Sequence, residues 1–528
     1  MPLILLVLYV CLFSSLGALG LVGPDEPRYA AIARAMAETH DWVTPRLWGT
    51  PWLEKPVLYY WTAGTAMRIF GVSEFAARLP SALAALLAVM AVSWTALRVY
   101  GMGAAWYSLL MLPTSVAAVG FARAASPDML FAGLLAASMA IAVGMLQKTR
   151  SGLVLHISFG FFLGAATLAK GPAAVILAGG ATLLWAAFTR QWHASLRFLH
   201  PVIITVFCIT ALPWYVLCAL RNPDFVRVFI WQHNFERYLT PVFEHRQPFW
   251  FFGPILLLAL IPWLPVLALA IGDGLHTIRE KNWAHSPGCF LACWTIFPLL
   301  FFSLSQSKLP GYVLPAIPPL FVLLGQAVSK ALERDMKRPT WRLSWAMGAT
   351  GLIFVVVPIF AFRGAWRDIA GMQSTTIAML LSMAAGISVL ILAGRKKNSA
   401  ALCGIVLLFV ALLEYSNWAI LPTIDARISP RSIAREIFKQ DPSGMDDVAV
   451  YELPRGWNYG LSYYFGREIQ EWTPDTARPD WLVTGILGEL EIRKRDTQSR
   501  WQEMPTASGS SITLLRSSEP RIPESPPH

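Results

Sequence analysis

Long apolar runs recur along the chain and are separated by polar loops. Each run approaches the length of a membrane-crossing helix, which needs roughly 20 mostly apolar residues. Thirteen segments can be counted, at residues 3–22, 77–97, 104–121, 129–146, 153–168, 173–188, 202–220, 251–271, 290–304, 313–328, 343–362, 376–393 and 401–421. We interpret the first as a membrane helix rather than a signal peptide, because it has no basic stretch before a long apolar run. The pattern predicts an α-helical integral membrane protein.

Basic residues are concentrated in alternate loops, those after the second, fourth and later even-numbered segments. These loops contain Arg98, Lys148, Arg150, Arg190, Arg197, Arg279, Lys281, Lys330, Arg334, Lys337, Arg338, Arg395, Lys396 and Lys397. Short loops rich in lysine and arginine stay on the cytoplasmic side of a membrane. We therefore expect the other loops, and the region that follows the last segment, on the outer face.

Two regions outside the apolar segments are long enough to have structure of their own. The first outer loop, residues 23–76, has helical spacing of apolar side chains over residues 30–38, which predicts a helix lying in the membrane interface. Residues 423–515 are polar and mixed, with expected strands at 446–451 and 481–484 and a helix at 432–439. This region predicts a small outer-face α/β domain after a membrane domain of residues 1–422, and we expect residues 516–528 to be a disordered tail.

Composition excludes two classes of protein. Of 528 residues, 55% are hydrophobic and only 14% are charged, whereas soluble domains carry about 25% charged residues. The net charge of +11 would suggest nucleic acid in a soluble protein, but here the basic residues lie in loops that orient the chain. We expect membrane lipids and no nucleic acid as partners. The six cysteines lie in or beside apolar runs and form no metal-binding or disulfide pattern.

Ionisable residues from five outer loops lie just beyond the ends of membrane helices. They are Asp25, Glu54, Lys55, Asp128, Lys170 and Lys308. Such groups are costly at a membrane edge unless they are paired or hydrated, so their gathering on one face predicts a common site. Taken singly, each has a simpler explanation: a solvated loop residue, a helix cap for Asp25, or lysines that reach the lipid headgroups.

The seventh loop contains two histidines, His233 and His245, that could bind a metal. A lone histidine is more often a polar surface group, and the chain has neither a His-Glu-x-x-His motif nor paired cysteines. The loop residues alone leave both interpretations open.

Several motifs are similar to those of a known family. The first loop contains DEPRYA at residues 25–30, WVTP at 42–45, EKPVLYYW at 54–61 and FAARLPS at 75–81. Further along are Asp128, LAKG at residues 168–171, HRQPFW at 245–250 and SKLPGYVLP at 307–315. Together these resemble the bacterial aminoarabinose transferases, which are GT-C glycosyltransferases related to the protein O-mannosyltransferases. The resemblance covers the chain from the first helix to about residue 325.

The resemblance implies a fold of thirteen membrane helices with a periplasmic C-terminal domain. It also implies a polyprenyl-phosphate sugar donor and a catalytic cavity lined by Asp25 and Asp128. Lys55, Lys170 and Tyr312 would contact the carrier phosphate or gate the cavity.

A divalent metal, zinc or magnesium, would map to Glu54 and His233 on the same resemblance. We expect the substrate-binding residues to be Glu26, Arg28, Lys55, Arg123, Lys170, Lys308 and Tyr312.

The resulting hypothesis is a glycosyltransferase on the periplasmic face of the bacterial inner membrane. It would move a sugar, 4-amino-4-deoxy-L-arabinose, from undecaprenyl phosphate to lipid A or another envelope acceptor. An acceptor phosphate is already ionised, so Asp25 would stabilise oxocarbenium character or position a metal. In an enzyme resembling the protein O-mannosyltransferases, the acceptor is a hydroxyl and Asp25 would be a base. A flippase for an anionic lipid, or a membrane scaffold whose charges only pair, are the non-enzymatic alternatives.

Overall fold

The computed structural model describes residues 2–147, 152–240, 246–280, 283–337, 341–361, 369–443, 446–474, 476–495, 501–506 and 511–518. Within these ranges a helical membrane domain is followed by a small domain built on a five-stranded sheet. The membrane-domain α-helices are α1 (Pro2–Leu8), α2 (Asp25–Thr39), α3 (Leu58–Phe70), α4 (Glu74–Tyr100), α5 (Met102–Met111), α6 (Val116–Ala122), α7 (Pro127–Leu146), α8 (Leu153–Lys170), α9 (Ala173–Thr189), α10 (Trp192–Ser195), α11 (Pro201–Arg221), α12 (Arg237–Leu239), α13 (Phe252–Ala259), α14 (Leu264–Arg279), α15 (Pro287–Leu304), α16 (Ile317–Lys337), α17 (Arg342–Ala361), α18 (Met372–Gly394), α19 (Asn398–Tyr415) and α20 (Leu421–Ile428).

Tighter or wider helical turns extend or link several of these helices. The π-helical stretches are Tyr9–Phe13, Val226–Glu236 and Ser416–Ile420, and the 3₁₀ stretches are Leu196–Leu199, Phe249–Phe251, Trp283–His285 and Pro310–Ala316. A two-stranded hairpin in the first loop pairs β1 (Arg46–Leu47) with β2 (Thr50–Pro51).

The apolar segments predicted from the sequence are helical in the structure. Among the described residues, nine helices are long and apolar enough to cross a membrane, or eleven if each of two bent pairs is one span. Two shorter apolar helices, Pro2–Phe13 and Ala173–Thr189, occupy the positions of the first and sixth predicted segments. The chain is a multi-pass membrane protein. The bent pairs are Met102–Met111 with Val116–Ala122, and Phe249–Ala259 with Leu264–Arg279.

The first predicted helix, residues 3–22, is shorter in the structure at its C-terminal end. Helical structure stops at Phe13, and residues 14–24 run in turns and extended backbone. The helix stops because the carbonyl groups that would continue it accept hydrogen bonds from two buried arginines, Arg78 and Arg431.

Helix α2, which we expect to lie in the membrane interface, packs against other parts of the protein over much of its surface. It is packed between α3 and the C-terminal domain, with Ala30, Ile32 and Ala33 fully buried. Small side chains allow this packing: a Cβ on Gly64 of α3 would lie 3.0 Å from the Ala33 carbonyl oxygen. The first loop is therefore part of the protein core and can hold side chains in fixed positions.

The C-terminal domain contains helices α21 (Pro430–Gln440), α22 (Arg455–Phe465) and α23 (Ile486–Arg495) and strands β3 (Val448–Tyr451), β4 (Gln470–Glu471), β5 (Trp481–Gly485), β6 (Trp501–Met504) and β7 (Ile512–Ser517). The strand order is β4-β3-β5-β7-β6, with β3 parallel to β4 and β5, and β7 antiparallel to both of its neighbours. In the register, Val450 pairs with Val483, which pairs with Leu514.

The two expected strands and the expected helix of this domain are present. Strand β7 runs to Ser517, two residues beyond the predicted domain end at 515. The predicted tail begins inside this strand, and residues 519–528 lie outside the described residues.

Candidate active site

The last residue of α8 and the first turn of α7 bring Lys170 and Asp128 into an ion pair. Ser126 caps α7, because its hydroxyl accepts a hydrogen bond from the Asp128 amide. The Lys170 ammonium also lies 4.6 Å from the centre of the Tyr312 ring. A Cβ at Gly311 would lie 2.7 Å from an Asp128 carboxylate oxygen, so glycine lets the turn that contains Tyr312 approach this pair. Three separate loops thus meet at one point.

Asp25 and Arg28 form a second ion pair on the first turn of α2. The Arg28 guanidinium lies 4.9 Å from the centre of the Trp52 ring, 5.5 Å from Tyr29 and 5.9 Å from Tyr459. These aromatic rings restrict Arg28, whereas the Asp25 side chain is 53% exposed. The Asp25 carboxylate is therefore accessible and is paired with a restrained arginine. A group that acts on substrate must be both accessible and fixed in position.

Lys55 is half-buried and lies among charges of both signs. Burial, together with the positive charges of Arg237 and Lys170, lowers its pKa to about 7, against the opposing effect of Glu54 and Asp128. Within the part of the chain that the structure describes, the Lys55 ammonium makes no hydrogen bond or ion pair. A desolvated cation in this situation is poised to bind an anion, because an opposite charge would relieve the cost of its burial.

His233 comes from the π-helix Val226–Glu236 and approaches the same group of charges. Its Nε2 lies 3.8 Å from Oε1 of Glu54. Burial, and then the positive charges of Lys55 and Arg237, lower the pKa of His233 to about 4. The imidazole is therefore neutral at physiological pH, which is the form that binds a metal.

Glu54 and His233 supply two convergent groups for a metal ion. No cluster of three or more His, Cys, Asp or Glu side chains suited to a metal occurs within the described ranges. His245, the other candidate from the sequence, lies outside them. A neutral imidazole nitrogen and a carboxylate are both zinc ligands, and a cation held by these two groups would take its other ligands from water or substrate phosphate oxygens.

Glu26, predicted to bind substrate, instead makes buried contacts within the protein. Its two oxygens accept hydrogen bonds from Arg78 and from the backbone amides of Val22 and Ala125. These contacts occupy the acceptor sites of the carboxylate and favour a structural role.

Arg123 and Lys308 also make contacts within the protein. Arg123 donates to the Val10 carbonyl and to the side-chain oxygen of Asn417, at 2.8 and 2.6 Å, and so joins the first and last membrane helices. Lys308 is 7% exposed and donates to the carbonyls of Gln247 and Ser305. Burial lowers the pKa of Lys308. Both cations are therefore hydrogen-bonded to protein groups, whereas the Lys55 ammonium is not hydrogen-bonded within the described residues.

The structure adds residues that the sequence interpretation did not place in the site. Arg237 and Tyr459 lie beside Lys55 and Arg28, and Tyr459 comes from the C-terminal domain. The hydroxyl of Tyr60 and the indole nitrogen of Trp52 are buried, with no hydrogen-bond partner in the described structure. Tyr60 and Trp52 are near Glu54 and Lys55 in the sequence, so they could have been predicted as site residues. No sequence pattern indicated Tyr459.

The sequence is similar to those of known transferases. A family model for dolichyl-phosphate-mannose-protein mannosyltransferase matches residues 3–229. The undecaprenyl phosphate-α-4-amino-4-deoxy-L-arabinose arabinosyl transferase of Erwinia tasmaniensis is 30% identical over 407 residues, which cover 74% of this chain and 71% of that protein. A protein of the same name from Aeromonas salmonicida is 27% identical over 491 residues, which cover 87% of each chain.

The fold is also similar to that of a solved structure. The crystal structure of ArnT from Cupriavidus metallidurans bound to undecaprenyl phosphate matches with a TM-score of 0.77 and 23% identity, and the match covers 97% of both chains. Almost the whole chain, including the C-terminal domain, thus has a counterpart in that fold.

Proposed function

Because the chain belongs to the family of undecaprenyl phosphate-α-4-amino-4-deoxy-L-arabinose arabinosyl transferases, we propose that it transfers 4-amino-4-deoxy-L-arabinose from undecaprenyl phosphate to lipid A. It is a polyprenyl-phosphate-sugar-dependent glycosyltransferase. The reaction takes place on the periplasmic face of the bacterial inner membrane, where the loops poor in orienting basic residues gather Asp25, Lys55, Asp128 and Lys170.

One observation carries the proposal. The ammonium group of Lys55, which is neither hydrogen-bonded nor ion-paired in the described structure, lies within electrostatic range of the Asp128–Lys170 pair. A scaffold needs only charges that neutralise each other, and a flippase for an anionic lipid needs cations but no fixed carboxylate beside them. A transferase needs a cation where the carrier phosphate departs, because that phosphate gains negative charge in the transition state.

The transfer breaks the bond between the anomeric carbon of the sugar and the phosphate oxygen of the carrier. An oxygen of the acceptor phosphate then bonds to that carbon. Lys55 stabilises the charge that develops on the departing phosphate, and Lys170, held by Asp128, adds a second positive group. Asp25 stabilises the positive character of the sugar ring, since an ionised acceptor phosphate needs no base.

A divalent metal, zinc or magnesium, is part of the proposal. Glu54 and His233 would hold it, and it would supply further positive charge beside the carrier phosphate. Their 3.8 Å separation and the neutral state of His233 support this assignment.

A second candidate acceptor is a hydroxyl group, as in the protein O-mannosyltransferases. The match of that family model to residues 3–229 favours it. Asp25 would then act as general base, and its exposed position permits this role.

The test is transfer in proteoliposomes that contain the purified protein and undecaprenyl phosphate carrying radiolabelled aminoarabinose. The acceptors are lipid A, dephosphorylated lipid A and a serine-containing peptide. We expect label in lipid A and none in dephosphorylated lipid A. Label in the peptide would support the hydroxyl acceptor, and no transfer to any acceptor would refute the enzymatic proposal.

A further inference from the structure

The segment that leads into α2 is held in an unusual way. All five carbonyl groups of residues 16–20 accept hydrogen bonds from the side chains of Arg78 or Arg431. We call residues 16–22 the linker segment. It connects the first membrane helix to Asp25, so its path decides where Asp25 lies.

Arg78, on α4, uses all of its donor capacity. Its guanidinium donates to the carbonyls of Leu16, Leu19 and Gly20 at 2.5–2.9 Å, and makes two further bonds to the Glu26 carboxylate at 2.8 and 3.1 Å. An arginine has five N–H donors. Each of them has an acceptor here, and the side chain of Arg78 is only 4% exposed.

Arg431, in the first turn of α21 in the C-terminal domain, repeats this pattern. It donates to the carbonyls of Gly17 and Ala18 at 2.8 and 2.7 Å, and it is paired with Asp425 and Glu74. The C-terminal domain thus supplies part of the scaffold of the first loop.

Tyr464, on α22, completes the C-terminal side of this network. Its hydroxyl accepts from the Leu21 amide at 3.0 Å and donates to Glu74 at 2.8 Å. Asp425 accepts from the Gly20 amide at 2.7 Å. A Cβ at Gly20 would lie 1.9 Å from the Ser429 hydroxyl oxygen, so only glycine allows this close approach.

Glu26 joins the network to the loops that hold Asp25 and Asp128. It follows Asp25 directly in the chain, and it accepts a hydrogen bond of 2.7 Å from the backbone amide of Ala125, three residues before Asp128. One buried carboxylate therefore fixes the Asp25 loop against the Asp128 loop.

We propose that the C-terminal domain positions the carboxylates of Asp25 and Asp128 through this network. Arg431 and Tyr464 hold the linker segment, the linker segment and Arg78 hold Glu26, and Glu26 sets the distance between the loops of Asp25 and Asp128. These are positioning residues, and none of them touches substrate. The inference rests on the proposed function, since it assigns the C-terminal domain a part in that reaction.

Two neighbouring tyrosines offer a matched test. Tyr464→Phe removes one hydroxyl from the network, whereas Tyr463→Phe removes a hydroxyl that has no hydrogen-bond partner in the described structure. A misplacement of about 1 Å can cost about 100-fold in rate. We expect Tyr464→Phe to lower kcat by about 10-fold and Arg431→Lys by about 100-fold, with KM for the donor nearly unchanged. Tyr463→Phe should keep the wild-type kcat.

Amide hydrogen exchange gives a readout that does not depend on activity. In Tyr464→Phe and Arg431→Lys, peptides covering residues 16–28 and 121–130 should exchange faster, and in Tyr463→Phe they should not. Wild-type kcat and exchange in both network variants would overturn the inference. So would a loss of activity explained by a smaller folded fraction. A wild-type protein without transfer activity would refute the proposed function, and the exchange result would then still decide whether the network holds the two loops.

Discussion

Lys55 and Lys170 lie close enough for the positive charge of Lys170 to lower the pKa of Lys55, yet their surroundings differ. Lys170 is paired with Asp128. Lys55 has no such bond within the described residues. The site therefore contains one neutralised cation and one that is poised for an anion, which is the asymmetry expected of a phosphate-binding enzyme before substrate arrives.

Replacing Lys55 with methionine should affect activity and stability in opposite directions. Transfer should fall by roughly 100-fold or more, because the departing phosphate loses its nearest cation. The protein without substrate should unfold at a higher temperature, because a half-buried charge has been removed. The two measurements are a transfer assay and thermal unfolding in detergent. A Lys55→Met protein that is less stable, or as active as the wild type, would contradict this role.

Donor binding should depend on pH through Lys55. The phosphodiester of the donor keeps one negative charge, but its sugar amine titrates in the same range. The ligand for this measurement is therefore undecaprenyl phosphate carrying arabinose without the amino group, so that the protein supplies the titration. The lowered pKa of Lys55, about 7, means that the free site loses its positive charge as the pH rises through that value. Affinity should then fall by up to about tenfold per pH unit above it.

The measurement for this pH dependence is binding of that ligand without acceptor, from about pH 6 to about pH 9, across the lowered pKa of Lys55. The same curve should be flat in Lys55→Met. His233 remains neutral over this range, because its pKa is about 4. A pH dependence that persists in Lys55→Met would assign the titration to another group.

The sequence was sufficient for the membrane segments but not for the path of the linker segment. Among the described residues, hydropathy located each helix that is long and apolar enough to cross a membrane, because each span must bury apolar side chains over a fixed length. Hydropathy wrongly extended the first helix past Phe13. The backbone carbonyl oxygens of residues 16–20 accept hydrogen bonds from Arg78 and Arg431, which are distant in the sequence. A local pattern cannot reveal such distant hydrogen-bond partners.

The same limit applies to the candidate site. Asp25, Asp128, Lys55 and Lys170 could be grouped from loop numbering, since they lie in or beside the loops of one face. Nothing in the local sequence distinguishes an accessible carboxylate such as Asp25 from its neighbour Glu26, whose oxygens are occupied by protein donors.

Arg123 allows a test of whether a side chain binds substrate or stabilises the protein. Because its guanidinium joins the Val10 carbonyl to Asn417, Arg123→Met should lower the free energy of unfolding by about 1–3 kcal/mol. The KM for the donor should stay at the wild-type value. A raised KM with unchanged thermal stability would instead support the substrate-binding role predicted from the sequence.

The proposed metal can be tested by composition as well as by activity. His233→Ala and Glu54→Gln should each reduce the zinc or magnesium retained by the purified protein, measured by elemental analysis. His276 and Glu280 form a pair of the same residue types, 3.5 Å apart but exposed to solvent, so His276→Ala is a control that should leave the metal content unchanged. Equal metal content in all three variants and the wild type would refute the proposal that Glu54 and His233 hold a metal.

The most direct test of the central claim compares the wild type with Asp25→Asn in one preparation. Binding of undecaprenyl phosphate carrying aminoarabinose, and transfer of that sugar to lipid A, are measured side by side. The exposed Asp25 carboxylate faces the reacting sugar in this account, so Asp25→Asn should bind the donor with near wild-type affinity and form at most about a hundredth of the product. Full transfer by Asp25→Asn would contradict the assignment of the chemistry to this site.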